Sequence, residues 1–169
     1  IPTEREKVLR VASRRLAFQV LFEMDARNNS DTAFIEETLL RVEGLGPIAM
    51  ARIAALILGA YTTRGVADAA FRELAPEWPT HRLAGVDRAI LRLCHYEMTA
   101  GLNVAAIVVN EAVELAKHFS TEKSPAFINA LLDKVAKKLQ PTDLPTSGPA
   151  SGPTAARSPD AESPIEGAV

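Results

Sequence analysis

A single cysteine, Cys94, in 169 residues leaves no basis for a disulfide framework or a cysteine metal cluster. The expectation that follows is a reducing, cytoplasmic setting. Long apolar runs are missing too. The longest, around Ile53 to Ala60, is bracketed by Arg52 and Arg64 and falls far short of the roughly 20 residues that span a bilayer. No basic leader with an apolar core and small-residue cleavage site follows Ile1, so neither a membrane span nor secretion is expected. The chain also lacks a glycine-rich phosphate loop of either standard form. A large excess of either charge is missing as well, with a net value of -2. Residues 141–169 hold Asp143, Asp160, Glu162 and Glu166 against Arg157, and setting them aside leaves 18 basic residues against 17 acidic. That is no global polyanion-binding signature, and any such site must be local.

What is present is helical periodicity, and no stretch alternates as a strand does. Residues 4–26 contain no Gly or Pro and repeat Leu16, Ala17, Val20, Leu21 and Met24 at helical spacing. Asp31 can cap a second helix running to Val42 with Ile35, Leu39 and Val42 inward, before Gly44, Gly46 and Pro47 break it. A third helix, about 48–61, is apolar nearly all round at Ile53–Leu58, which predicts burial on more than one side. Thr63 can cap a fourth with Val66, Ala70, Phe71 and Leu74 inward, ended by Pro76 and Pro79 around an anchoring Trp78. The fifth follows Thr80 and is closed by Gly101, with Leu83, Val86, Ile90, Leu93 and Met98 on its stripe and Asp87, Arg88 and Arg92 outside it.

Residues 104–119 read as the central packing helix, striped by Val104, Val108, Ala112, Leu115 and Phe119. A polar elbow, 120–125, follows, with Ser124 as cap and Pro125 as first residue of a seventh helix to 139 that buries Ile128, Leu131, Leu132, Val135 and Leu139. The expected fold is all-α, two packed bundles of three and four helices over about 4–62 and 63–140. Residues 141–169 hold six of the 11 prolines among Ser, Thr, Gly and Ala, the composition of a disordered tail.

Chemistry is sparse. Glu114 and His118 share a helix face, but matching ligands on other helices are missing, so no metal site and no cofactor are expected. Cys94 and His95 are consecutive in a helix, so their side chains diverge by about 100° and form no nucleophile–base pair. No catalytic residue is assigned. The one informative charge cluster is Arg5, Lys7, Arg10, Arg14 and Arg15 on the first helix. Lys7, Arg10 and Arg14 fall within a sector of roughly 60°, a stripe able to follow a phosphate backbone. The plainer reading is a solvated face, with Glu6 set to pair with Arg10. Phe119 and Phe127 flank the elbow, where an exposed ring can stack on an unpaired base while Lys123 meets phosphate; both positions also fit a core. Asp87 and Arg88 read as an exposed charge pair, either solvated or part of a docking surface.

Four segments in order resemble the NusB transcription antitermination factors. They are Arg10-x-x-x-Arg14-x-x-Ala17-x-Gln19-x-Leu21-Phe22, Val86-Asp87-Arg88-Ala89-Ile90-Leu91-Arg92 with Tyr96-Glu97, Asn110–Lys117, and Phe127–Lys134. The resemblance spans nearly all of residues 8–138. It implies the same three-plus-four helical fold and a non-enzymatic role: binding the single-stranded boxA element of nascent ribosomal RNA with NusE, a small-subunit ribosomal protein, so that the RNA polymerase complex resists termination. By position it implies RNA contacts at Arg10, Arg14, Phe119, Lys123 and Phe127 and a NusE side at Phe22 and Asp87; the charge cluster itself adds Lys7 and Arg15 to the RNA-binding candidates, and the Asp87–Arg88 pair adds Arg88 to the docking side. Val11, Ser13, Arg15, Phe22, Asp87 and Lys123 depart from residues common in the family. Two other functions stay open: a helical protein scaffold or homodimer without RNA binding, and the helical module of a ribosomal RNA methyltransferase, whose catalytic domain is not in this sequence.

Overall fold

The computed structural model describes residues 1–140, and the proline-rich stretch 141–169 lies outside the described residues. Seven α-helices and one short 3₁₀ turn make up the fold, and no strand occurs among the described residues. They are α1 (Glu4–Ala26), α2 (Ala33–Leu40), α3 (Pro47–Thr62), α4 (Arg64–Leu74), α5 (Gly85–Thr99), α6 (Ala105–Phe119) and α7 (Ser124–Leu139), with the 3₁₀ turn at Thr80–Arg82. Among the described residues no helix is long and apolar enough to cross a membrane.

α1 starts on a reciprocal cap that satisfies two of its free backbone donors. The Glu6 amide donates to Thr3 Oγ1 at 3.3 Å, and the Thr3 amide donates to Glu6 Oε2 at 2.7 Å. Its residues 4–12 are all exposed, and burial begins at Arg14 and continues through Ala17, Phe18, Val20, Leu21 and Met24. The first turns therefore stand clear of the bundle in water.

The hub is α5 rather than the expected α6. Ala89, Ile90, Leu91, Leu93, Cys94 and Met98 are buried over about 200° of its circumference, and it packs on α1, α3, α4, α6 and α7. α6 buries the narrower stripe Val108, Ala112, Leu115 and Ala116, leaving Val104 exposed. The reason lies in neighbours: five helices pack on α5, so even its Asp87 and Glu97 are buried and must be paired, whereas α6 keeps a wet face. One continuous core runs from Ala17 to Val135 and joins both groups of helices. At its edge Gly59 of α3 lets Tyr96 of α5 lie against the backbone, where any Cβ would overlap the ring.

Several local expectations change. α3 is not buried all round, since Ile48 and Leu58 are exposed and only Ile53, Ile57 and Ala60 are buried. α2 stops at Leu40, before Val42. On α4 it is Ala67, not Val66, that turns inward with Phe71. Leu139 is exposed near the end of α7. Gly101, at φ +66°, does close α5 in the left-handed conformation that favours glycine.

Candidate nucleic-acid interface

Depth divides the basic residues of α1. Arg10 and Arg15 are exposed, as is Lys7, whose Nζ lies 2.6 Å from Glu4 Oε1. Arg14 departs from the expected phosphate-facing stripe: it is 4% exposed and turned into the core. Its Nε and Nη2 each donate to one oxygen of Glu97 at 2.7 Å, and Nη1 lies 3.8 Å from Glu111 Oε2. Asn103 Nδ2 adds a donor to Glu97 Oε2 at 3.0 Å. Arg10 and Arg14 share a helix face, but the core begins only at the level of Arg14, so one stays in water and the other must be paired. Burial disfavours the Arg14 charge, yet the bidentate hydrogen bonds and the charge of Glu97 outweigh it and hold the guanidinium above its ordinary pKa. Glu97, itself 1% exposed, was readable as the partner of some buried cation, because a carboxylate inside the apolar run Leu93–Met98 is rarely buried alone.

Arg15 faces the other way. Its guanidinium carbon lies 5.2 Å from the Phe119 ring centroid, a cation–π distance. Phe119, at the end of α6, is 36% exposed on its outer side and packs inward on Phe18 at 5.2 Å between centroids. One face of the ring is thus packed and the other is open to solvent. Phe18 in turn meets Phe22 at 6.5 Å, and Phe22 is 37% exposed beside Gly85. An aromatic line so runs from the Arg15 end of α1 to the start of α5. Between α1 and α6 a groove of about 230 Å³ is bordered by Val11, Arg15, Glu111, Glu114 and His118. Arg14 also lines it, and its carboxylates each lie near a cation, Glu111 near Arg14 and Glu114 near Lys117, so the exposed Arg15 and Phe119 are what a polyanion can reach there, while Arg10 is exposed about 140° away around α1.

The elbow is built on Asp87, which is not the exposed residue its charge suggests. It is 7% exposed, and Ser120 Oγ and Ser124 Oγ donate to its two oxygens at 2.5 and 2.9 Å. With Ser124 donating to Asp87, the Thr121 hydroxyl, 2.8 Å away, is left to donate to Ser124. Ser124 therefore latches the elbow instead of capping α7; the cap position is Lys123, whose side chain is exposed. Phe127 is only partly buried and meets Trp78 edge-on at 6.1 Å.

Arg88 is also occupied. Its Nε and Nη2 donate to Asp25 Oδ2 at 2.9 and 2.7 Å, and Nη1 donates to the carbonyls of Thr80 and Leu83. On the expected docking side, Phe22 alone presents an open face. Arg92, bidentate to Asp68 at 2.9 and 2.7 Å, continues this network. Burial pushes the Cys94 thiol well above its ordinary pKa, and burial lowers that of His95, which sits edge-on to Phe71. Glu114 pairs with Lys117 at 3.0 Å. No group of acidic, His or Cys side chains able to hold a metal occurs among the described residues.

Comparison with known proteins closes the description. The "Transcription antitermination protein NusB" of Roseiflexus sp. (strain RS-1) is 34% identical over 133 residues, covering 77% of this chain and 93% of that protein. The T. maritima NusB structure superposes with a TM-score of 0.71 at 30% identity, over 78% of this chain and 93% of that one. A crystal structure of the antitermination factors NusB and NusE in complex with dsRNA shares the fold at a TM-score of 0.69 and 23% identity, over 80% of this chain and 99% of that one. The NusB family profile matches residues 11–137, from within α1 to the last turn of α7, and the chain belongs to the NusB family.

Proposed function

We propose that this protein is a transcription antitermination factor that binds the boxA element of nascent ribosomal RNA together with NusE, helping the RNA polymerase complex resist termination. Its task is binding rather than catalysis. The observation that carries the reading is the exposed pair in which Arg15 overlies Phe119, itself 36% exposed, with Arg10 and Lys123 exposed elsewhere on α1 and the elbow. Cations there meet phosphates and the ring offers a stacking face, the combination that single-stranded RNA requires. The names of the relatives support it, as does the NusB–NusE–dsRNA complex among the structures of the same fold.

NusE docking is assigned to the surface around Phe22 and Gly85, where an open aromatic ring lies over a residue without a side chain. Arg88 and Asp87 shape this surface from beneath it. The test is a titration of boxA RNA against a scrambled RNA, with and without NusE. Preferential boxA binding, tightened by NusE, is expected; equal affinity for both RNAs refutes the assignment. Light scattering on the same samples separates an RNA-bound adaptor from a homodimeric scaffold that never takes up RNA.

A further inference from the structure

Trp78 is the chain's one tryptophan and is 59% exposed, although its place between Pro76 and Pro79 suggested a buried anchor. Large aromatic rings bury readily, so an indole left in water on a well-fixed segment calls for an occupant. The segment is fixed: the Trp78 amide donates to the Ala75 carbonyl at 3.0 Å, and Arg88 grips the carbonyls of Thr80 and Leu83 just beyond. One edge of the ring system meets Phe127 at 6.1 Å with the planes at 61°.

We propose that Trp78 is a stacking platform for an unpaired RNA base, carrying the RNA track past the elbow onto the outer face of α7. This rests on the RNA-binding reading above. Lys123 has helical dihedrals and its carbonyl accepts from the Phe127 amide, so the two residues stand one turn apart on one face. Lys134, also exposed, falls with them inside a sector of about 40° at 100° per residue. The indole thus borders a strip of cation, aromatic ring and cation that continues from Phe119 and the elbow. A protein-docking patch would need contiguous apolar area, whereas Glu77, His81 and Arg82 around Trp78 are exposed and polar. Stacking on an aromatic platform is tolerant of base identity, so the platform adds affinity to any RNA that reaches it.

As the sole tryptophan, Trp78 reports its own occupancy by fluorescence. Titration with boxA RNA extended by several nucleotides at either end should quench the emission, while the minimal boxA element should bind without full quenching. Trp78→Ala should weaken the extended RNA roughly fivefold or more, read by anisotropy of labelled RNA, and leave the minimal element unchanged. Trp78→Phe should recover most of the loss, and a thermal melt of each variant checks that folding is intact. Binding of both RNAs with unaltered fluorescence and no effect of Trp78→Ala overturns the platform alone. Quenching by NusE without RNA also overturns it, by making Trp78 a protein contact. Failure to bind either RNA overturns both the platform and the RNA-binding reading.

Discussion

The Arg14–Glu97 clamp and the Asp87 elbow each hold a carboxylate beneath the surface, but by different chemistry. At the clamp, a guanidinium meets Glu97 through two hydrogen bonds of 2.7 Å, with both side chains under 5% exposed. At the elbow, Asp87 is held by the hydroxyls of Ser120 and Ser124. The first arrangement ties three helices, α1 through Arg14, α5 through Glu97 and α6 through Glu111. The second ties a short turn that carries the exposed Lys123 and follows Phe119. Charge pairing in a dry site resists opening, whereas neutral hydroxyl donors near water are exchanged more cheaply. Rigidity thus sits under the base of α1, and the looser support sits where a ligand would arrive.

Breaking the clamp should have the largest effect. Arg14→Ala leaves Glu97 buried without its cation, a change that typically costs about 3–5 kcal/mol. Urea unfolding should show it, and Glu97→Ala should be comparably severe. The double replacement Arg14→Met with Glu97→Leu removes both charges together and should recover most of the loss. If the double variant is as unstable as the singles, the pair is not the coupled unit described here. RNA affinity of the double variant should stay near that of the parent, because Arg14 does not reach the surface.

At the elbow the expected losses are smaller. Asp87→Ala strands two hydroxyls and should cost roughly 1–3 kcal/mol, while Ser124→Ala removes one donor and should cost less. Asp87→Arg places a cation against Ser120 and Ser124 in a site 7% exposed, so it tests folding before it tests partner binding. The informative readout is differential: elbow variants should weaken RNA binding even when refolded fully, and clamp variants should not. Equal effects of both sets on RNA would erase the distinction.

A third effect separates the interior from the elbow by pH. Burial lowers the His95 pKa below its unfolded value of about 6.5, so the unfolded chain binds the proton more readily. The stabilising contribution is present above that pH and is lost as pH falls from it toward the folded pKa. Unfolding free energy should therefore decline between pH 7 and 5, and His95→Gln should flatten that slope. An unchanged slope in the variant assigns the decline to other groups.

The helices were legible because each long amphipathic stretch has its own period and punctuation: α1 and α5 stop where the Arg27–Ser30 cluster and Gly101 say they should, although α5 starts at Gly85 rather than straight after Thr80. What periodicity could not rank was centrality. α5 and α6 both show a stripe, and only the number of neighbours around Leu91, Cys94 and Glu97 makes α5 the hub. The same limit applies to the site. Arg10 and Arg14 are equivalent by helical angle, and their fates diverge because the core ends between them, a fact about the neighbouring α5 and α6 rather than about α1. Asp87 misled for the opposite reason: its partners, Ser120 and Ser124, are 33 and 37 residues away in sequence. Trp78 could not be placed by its prolines, since a fixed backbone does not decide whether its side chain is covered.

The smallest effect on stability should come from the residues with the largest effect on RNA. Arg10→Ala and Arg15→Ala lie outside the core, and surface changes of this kind usually stay within about 0.5 kcal/mol. Arg15 has the packing on Phe119 to lose, so it should lie at the upper end of that range. Each replaced phosphate contact should lower the slope of log affinity against log salt by roughly 0.7 for single-stranded RNA. The two arginines can be told apart by that slope. Arg10 is free to act through charge alone, and its loss should weaken binding equally across RNA sequences. Arg15 also holds the Phe119 ring from above, so its loss should in addition reduce the preference for boxA over scrambled RNA. If both variants lower affinity and salt slope equally without touching preference, Phe119 is only a packed ring. If neither changes the slope, α1 does not supply the phosphate-binding surface.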